Sequence, residues 1–351
     1  MITPAALLDE TIAPHALGLT INGVELEATT NDPEVSEGLR RYYAPWVTSV
    51  SLPVVRVRLI QGQVSPRGRF QDLVRSDGKR VKEAVQDAGG GRLILKRATG
   101  VVMGLWPGHA LAVGDLRANL NQAINLVNAC YAKVVLDRGY ALLHASAVSR
   151  KGQAVVLAGT PGAGKSTAAL HLVEAGFHFV SNDRVLARPH ADRVEVWGYP
   201  KQPRVNPGTL LGHARLSALL GSDERAELAA MDRETLWNFE SKRDVDLDAI
   251  YGPGTVELCA EARALVLLRW RRTGSGFSLE PLDADAALER LAIFRKDLGA
   301  FDLDRTPTAP PTPAELAGYR ALLEATPVFE VTGRVDFRTL VGEVTSLLAA
   351  A

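Results

Sequence analysis

A short segment in the middle of the chain has the spacing of a phosphate-binding loop. Gly159 is followed by four residues and then by Gly164, Lys165 and Ser166, between the apolar run AVVLA and an amphipathic stretch. Glycines let backbone N–H groups turn towards phosphate oxygens, and a following helix N-terminus adds unpaired donors. Lys165 is expected to reach the β- and γ-phosphates, and the Ser166 hydroxyl to ligate Mg²⁺. The motif therefore predicts binding of a nucleoside triphosphate, expected to be ATP, with Mg²⁺. The predicted nucleotide-binding residues are Gly159, Thr160, Pro161, Gly162, Ala163, Gly164, Lys165, Ser166 and Thr167.

A carboxylate at the end of the next predicted strand could act on the phosphate. Asp183 is the first suitable acid after the loop helix, and it ends the stretch VSND. Catalytic groups collect at strand ends beside phosphate loops in open α/β sheets. Asp183 is therefore predicted to accept the proton of a hydroxyl nucleophile and to help hold the metal. The structural alternative is a turn formed by Asn182 and Asp183, because this pair favours turns.

Two further polar residues interrupt apolar strand patterns near the loop. His144 lies in LLHASA, inside the strand predicted just before the loop strand, and it is either a structural core histidine or an active-site group. Glu195 alternates with valines in VEVW, so its side chain is predicted to point away from their face. A solvated strand face is the simple explanation of Glu195, and metal binding is the functional alternative.

These groups need a sheet that brings several strand ends together. Period-two alternation and turn residues predict strands at Val54–Ile60, Arg92–Lys96, Gly100–Leu105, Ala141–Val148, Gln153–Ala158, Phe177–Val180, Val185–Arg188, Arg193–Trp197, Ala264–Trp270, Phe277–Leu282 and Val328–Val331. Apolar spacing of three and four residues predicts helices at Leu116–Arg138, Lys165–Ala175, Asp223–Met231, Ala284–Phe294, Pro313–Glu324 and Phe337–Leu348. We place a domain boundary near residue 139, between an N-terminal α+β lobe (1–139) and an α/β P-loop kinase domain (140–351).

The bulk composition limits the partners and the compartment. The 351 residues suffice for two domains, and the 40 basic and 40 acidic residues cancel, so neither nucleic acid nor a membrane is expected as partner. The N-terminus lacks a basic segment followed by an apolar core, and no apolar run approaches the ~20 residues that span a bilayer. We therefore expect a cytoplasmic protein. Cys130 and Cys259 belong to no metal-ligand pattern and are expected to be buried thiols, with a disulfide between them as the alternative.

The order of these motifs resembles bacterial HPr kinase/phosphorylase, the enzyme that phosphorylates a serine of the sugar-transport carrier HPr. LLHASAV, GTPGAGKST, VSND and EVWG occur in the order that this family has for its histidine strand, phosphate loop, paired acids and later glutamate segment. The interval from His144 to Asp183 aligns with the family without gaps. Asn182 stands where the family has the first acid of the pair, and Trp197 where it has arginine.

The resemblance implies a role for each matching residue. His144 corresponds to the family's active-site histidine, Lys165 to its loop lysine, Asp183 to the base towards the serine hydroxyl, and Glu195 to the magnesium-associated glutamate. It also implies a twisted mixed sheet like that of HPr kinase and phosphoenolpyruvate carboxykinase, with ATP and Mg²⁺ as cofactors.

Two later segments are similar to a narrower group. GYPKQPRVNPGTLL and WNFESKRDVDLDAIYGPG resemble the HPr-kinase-related proteins (kinase B type) found beside ATP-grasp and amphi-Trp proteins in bacteria. Lys201, Arg204, Lys242 and Arg243 lie in these segments, and one or two of them could clamp phosphate or an anionic acceptor.

The predicted activity is transfer of the γ-phosphoryl group from ATP to a hydroxyl of a protein, a peptide or a small molecule. One alternative is a bifunctional kinase/phosphorylase, in which Asp183 returns the proton. Another is a regulatory ATPase that uses nucleotide turnover to switch its shape. Residues 1–139 are expected to cover the nucleotide cleft or to recognise the acceptor, or else to extend the kinase sheet. The sequence leaves the acceptor and any homo-oligomer open.

Overall fold

The computed structural model describes residues 13–66, 68–74, 81–191, 193–307 and 309–349. The chain divides into two compact units. The first consists of Met1–Arg138 and Asp297–Pro311, and the second of Gly139–Lys296 and Thr312–Ala351. The chain therefore returns from the second unit to the first at residue 297. Residues 1–12, on which part of the compartment prediction depends, lie outside the described residues.

A mixed sheet dominates the described part of the first unit. Its strands are β1 (His15–Ile21), β2 (Val24–Thr30), β3 (Val55–Gln61), β4 (Gln71–Asp72), β5 (Glu83–Ala88), β6 (Gly91–Lys96), β7 (Val102–Trp106) and β8 (His109–Gly114). They are ordered β1-β2-β3-β8-β7-β6-β5-β4, and β3 runs parallel to both of its neighbours. The β1–β2 hairpin turns at Asn22 and Gly23, which both have positive φ, as a two-residue turn matched to strand twist requires.

In the described part of this unit, helices α1 (Pro33–Tyr42) and α2 (Leu120–Asp137) accompany the sheet. The Asp32 carboxylate caps α1 by accepting the first backbone N–H groups. The predicted start of α2 at residue 116 was wrong. Asp115 accepts the N–H of Ala118 at 3.3 Å and so closes a separate turn before the helix begins.

The second unit also contains a mixed sheet, with helices packed against it. Its strands are β9 (Ala141–Leu143), β10 (Ala145–Arg150), β11 (Gln153–Gly159), β12 (His178–Ser181), β13 (Val185–Pro189), β14 (Val194–Gly198), β15 (Arg204–Val205), β16 (Arg243–Asp244), β17 (Cys259–Leu268), β18 (Phe277–Leu282) and β19 (Val328–Gly333). Strands β15 and β16 form a separate two-stranded ribbon. The molecule is therefore a mixed α/β protein.

Strand β17 is central to this sheet because it is paired along both sides. Strand β11 runs parallel to it on one side, and β14 and β19 share the other side. Beyond β17 the sheet therefore splits into two branches. One branch contains β14, β13 and β9, and the other contains β19 and β18.

The helices of this unit are mostly short. They are α3 (Lys165–Glu174), α4 (Pro207–Leu211), α5 (Ser222–Ala230), α6 (Arg233–Asn238), α7 (Leu247–Tyr251), α8 (Ala284–Glu289), α9 (Leu291–Phe294), α10 (Pro313–Glu324) and α11 (Phe337–Ala349). The single helix predicted over Ala284–Phe294 is divided at Arg290, which leaves helical geometry while its guanidinium pairs with Glu330. No helix in the described ranges is long and apolar enough to cross a bilayer.

The predicted strand Ala141–Val148 is broken at His144. Strand β9 pairs with β13, whereas β10 pairs with β11 and β12, so the chain changes neighbours at this residue. The backbone N–H of His144 instead donates to the carbonyl of Phe294 at 2.6 Å. His144 therefore lies at a strand break and not inside a continuous strand.

Both cysteines are free thiols. Cys130 is buried, as expected, and burial raises its pKa to about 12. Cys259 is exposed at the start of β17, so the expectation that both thiols are buried was wrong for this residue.

Candidate functional site

The loop between β11 and α3, which carries the predicted phosphate-binding motif, is compact and contains two left-handed glycines. Gly162 and Gly164 adopt φ angles of 82° and 88°, in the left-handed region that glycine favours. A Cβ atom on Gly159 would lie 2.9 Å from the Cβ of Ala163, so the loop closes tightly on its own start. The Trp270 indole N–H donates to the carbonyl of Ala163 at 2.8 Å and fixes the far side of the loop.

Lys165 begins α3 and is buried beneath this loop. Its Nζ donates to the carbonyls of Gly159 at 2.7 Å and Thr160 at 3.2 Å. Burial lowers the pKa of Lys165 to about 8, and the Asp183 carboxylate acts against that shift. The ammonium is held on the loop by two neutral acceptors, which an anionic oxygen would replace favourably.

Strand pairing brings the strand break and the predicted acid to the end of β11 that carries the loop. Strand β10 is antiparallel to β11, with Ala145 opposite Ala158, so the residue before β10 lies beside the loop. Strand β12 is antiparallel to β10, with Ala147 opposite Ser181. The residues that follow β12, including Asp183, therefore arrive at the same edge.

Asp183 lies at the centre of a positively charged group. It has φ 69°, a left-handed conformation that is uncommon outside glycine. Lys296 donates to its Oδ2 at 2.8 Å and to its carbonyl at 3.2 Å, and Arg184 Nε lies 3.9 Å from the same carboxylate. Burial alone would raise the pKa of Asp183, but Lys296 and then Arg184 lower it to about 2. About half of the Asp183 side-chain surface, 47%, remains accessible.

His144 faces this carboxylate from the strand break. Its Nε2 lies 3.6 Å from Asp183 Oδ1. Burial, followed by the charges of Lys165 and Lys296, lowers the pKa of His144 to about 4. The imidazole is therefore neutral at physiological pH and could exchange a hydrogen bond with a hydroxyl beside Asp183.

Asn182 connects the acid to the loop helix. Its Oδ1 accepts hydrogen bonds from Ser166 Oγ at 2.8 Å and from the buried Ser146 Oγ at 2.7 Å. Mg²⁺ prefers oxygen ligands and keeps several waters and substrate phosphate oxygens. The hydroxyl of Ser166 and the amide oxygen of Asn182, with the carboxylate of Asp183 next in the chain, suit a magnesium ion that arrives with a nucleotide. Among the described residues no cluster of three His, Cys, Asp or Glu side chains could hold a metal by itself.

Glu195 belongs to a different group of side chains. Its carboxylate accepts a short hydrogen bond from the Tyr140 hydroxyl and lies 3.3 Å from His190 Nε2 and 3.5 Å from an Arg188 nitrogen. It faces Arg188 across the β13–β14 hairpin and lies opposite Glu261 of β17, which in turn pairs with Gln153 at the end of β11 away from the loop. The structure therefore does not bring Glu195 into contact with the loop, and its magnesium role stays a prediction.

The four basic residues singled out in the later segments have different surroundings. Arg204 pairs with Asp244 at 3.1 Å, and Arg243 forms two hydrogen bonds with Glu224. These two guanidiniums are engaged in ion pairs. The charge of Lys242 lowers the pKa of Lys165. The charge of Asp183 raises the pKa of Lys201, against the larger lowering effect of burial.

Lys296 is the main site residue that the sequence did not reveal. It follows α9, and its backbone N–H donates to the carbonyl of Leu142 at 3.1 Å, which aligns this segment beside β9. No motif marks Lys296, because it reaches Asp183 through pairing between distant parts of the chain. The only local signal is the basic pair Arg295-Lys296 after a helix.

Comparison with known proteins adds little to these assignments. No protein-family model matches the chain, and no curated protein matches it. Among solved structures, the Hpr(Ser) kinase/phosphatase from Coxiella burnetii aligns over 60% of this chain and 88% of its own, with 11% sequence identity and a TM-score of 0.28. At that score the likeness is distant, and the assignments in this chain depend on its own residues.

Proposed function

We propose that the protein transfers the γ-phosphoryl group of Mg²⁺-bound ATP to a hydroxyl group of an acceptor. The observation that carries the proposal is the meeting of a phosphate-type loop with Asp183, His144 and Lys296 at one edge of the sheet. Loop N–H groups and Lys165 would bind the phosphates, and Asp183 would face the hydroxyl. Phosphoryl transfer requires mainly positioning and charge stabilisation, which such an arrangement provides.

Lys296 would serve both the acid and the phosphate. With Lys296 bonded to it, Asp183 has a pKa of about 2 and is a weak base. A phosphate group that competes for the Lys296 ammonium would weaken this pair and raise the pKa of the carboxylate. Asp183 would thereby become a better proton acceptor at the same time as the Lys296 ammonium stabilises the negative charge of the phosphoryl group.

The remaining site residues would position the acceptor hydroxyl and the metal ion. Neutral His144, 3.6 Å from Asp183, would hold the acceptor hydroxyl through a hydrogen bond. Ser166 and Asn182 would hold the magnesium ion, which neutralises phosphate charge when bound. We also propose that residues 1–139 recognise the acceptor, because the sequence of that lobe carries no catalytic motif of its own.

A single-turnover experiment with γ-labelled ATP and a cell extract tests the proposal. We expect label to appear in an acceptor, and we expect Lys165→Met to reduce this transfer by about 10²–10³ because the phosphates lose a buried cation. The matched control is Arg338→Met, which removes an exposed charge on α11. Label recovered only as free phosphate would instead support the regulatory ATPase, and label unaffected by Lys165→Met would contradict the site.

A further inference from the structure

The segment after Asp183 is fixed to the loop that follows β14. The Ser181 hydroxyl donates a short hydrogen bond to the carbonyl of Arg184 and accepts the N–H of Tyr199 at 3.1 Å. The Tyr199 ring is buried, and the Arg184 guanidinium carbon lies 5.4 Å from its centroid. The N–H of Lys201 donates to the carbonyl of Tyr199 at 2.7 Å. Arg184 and Lys201 are therefore held on one framework.

Arg184 shares its negative partner, Asp183, with Lys296. Its Nε is buried and has no hydrogen-bond partner among the described residues. The nearest carboxylate is Asp183, at 3.9 Å, and that carboxylate already accepts a hydrogen bond from Lys296 at 2.8 Å. A buried guanidinium nitrogen without a partner is unfavourable, so this position favours an additional acceptor.

Lys201 is partly exposed and has no direct partner for its ammonium among the described residues. Its Nζ makes no hydrogen bond or ion pair with any residue that the structure describes, and the two carboxylates acting on it are Asp183 and Asp244. Asp244 pairs with Arg204 at 3.1 Å. Burial lowers the pKa of Lys201, and the charge of Arg184 lowers it further. The two cations repel each other, and an anion between them would relieve that repulsion.

We propose that Arg184 and Lys201 form a second anion site, which binds a phosphate or carboxylate group carried by the phosphoryl acceptor; this rests on the proposed kinase function. A guanidinium and an ammonium together suit the oxygens of such a group. Asp183 immediately precedes Arg184, so an acceptor anchored there would present a neighbouring hydroxyl to the carboxylate. The acceptor is then an anionic alcohol and not a neutral one.

Calorimetric titration of the full chain, first saturated with Mg²⁺ and a non-hydrolysable ATP analogue, tests this site. Inorganic phosphate and acetate are the two probes, and the stronger binder identifies the preferred group. We expect one anion to bind per chain, Lys201→Met to weaken it by about tenfold or more, and Lys201→Arg to restore it. Affinity for the analogue should stay unchanged in Lys201→Met, and Arg338→Met serves as the control for loss of one charge.

Three results would overturn the inference alone: binding of neither anion to the saturated protein, equal binding by Lys201→Met, or displacement of the analogue by the anion. The last result would assign the cations to the γ-phosphate. Failure of the analogue itself to bind would overturn the kinase proposal as well, so the two failures are distinguishable.

Discussion

Replacing Asp183 with asparagine tests the proton-accepting role at the scale of one residue. Asparagine keeps the size of the side chain but cannot accept a proton, so we expect phosphoryl transfer to fall by a factor on the order of 10²–10⁴ while ATP still binds. Fluorescence titration with a labelled nucleotide and single-turnover transfer would be measured on the same preparation. A parallel loss of binding and transfer would indicate a structural or metal-holding role instead.

The ion pair between Lys296 and Asp183 makes a prediction about pH. The pKa of Asp183 is about 2 because Lys296 and Arg184 overcome the effect of burial. Lys296→Met removes the larger of these influences, so the pKa should rise, and the acidic limb of the kcat/KM profile should move to higher pH. Lys296→Arg keeps the charge and should leave that limb in place. A Lys296→Met enzyme that is slower at every pH by a constant factor would show that Lys296 acts only on the phosphate.

At the scale of elements, two glycines of the predicted phosphate loop form a matched pair. Gly162 and Gly164 both have positive φ, but a Cβ on Gly164 would lie 3.2 Å from the Phe337 ring, whereas a Cβ on Gly162 would meet nothing within 4 Å. Each alanine substitution should cost about 1–2 kcal/mol of backbone strain. Gly164→Ala should cost more and weaken nucleotide binding further, as measured by chemical unfolding and nucleotide titration.

A second substitution separates the two causes. Phe337→Leu should recover the additional loss in Gly164→Ala and give no recovery in Gly162→Ala, since only the former has the ring contact. Equal behaviour of the two backgrounds would mean that α11 does not support the loop.

How much of these elements the sequence predicts depends on how local their signals are. Helix α10 has its predicted bounds, Pro313–Glu324, and the structure shows a local reason for its start: Thr312 and Glu315 form a capping box around the proline at the first helical position. The hairpin β1–β2 was not predicted, although its signals are local: Asn22-Gly23 is a strong turn signal, and both strands alternate buried and less buried residues. The break at His144 could not be read locally, since it results from a change of strand partners.

The candidate site divides in the same way. The loop glycines and Lys165 have a sequence motif, whereas Lys296 approaches Asp183 across more than a hundred residues of chain. Such pairings depend on the whole sheet, which periodicity does not specify.

At the scale of the whole molecule, Arg92 tests how residues 297–311 are held in the first unit. Arg92 is buried and donates to the carbonyls of Ala300, Asp302 and Arg305 at 3.2, 2.6 and 2.9 Å. Arg92→Met should lower the free energy of unfolding by about 2–4 kcal/mol, because several buried carbonyls lose a charged donor. Arg97→Met breaks an ion pair with Asp72 of β4, in which both side chains are partly accessible to solvent. It should lower the free energy of unfolding by no more than about 1 kcal/mol.

Denaturant unfolding followed by tryptophan fluorescence would measure both variants. Equal losses would contradict the special position given to Arg92. These contacts also matter when the two lobes are expressed separately. A fragment of residues 140–351 contains the segment 297–311 but lacks Arg92, which binds that segment. An activity test on that fragment should therefore be paired with co-expression of residues 1–139.

The return of the chain to the first unit also sets an order of events during synthesis. The first unit includes Asp297–Pro311, so a ribosome that has completed Arg138 has not yet made all of that unit. The difference between 138 and 297 is 159 residues, which at about 5–20 residues per second takes roughly 8–32 s. During that interval the guanidinium of Arg92 lacks its three carbonyl partners. The N-terminal lobe, although begun first, can be completed only after residues 139–296 of the second unit have been synthesised.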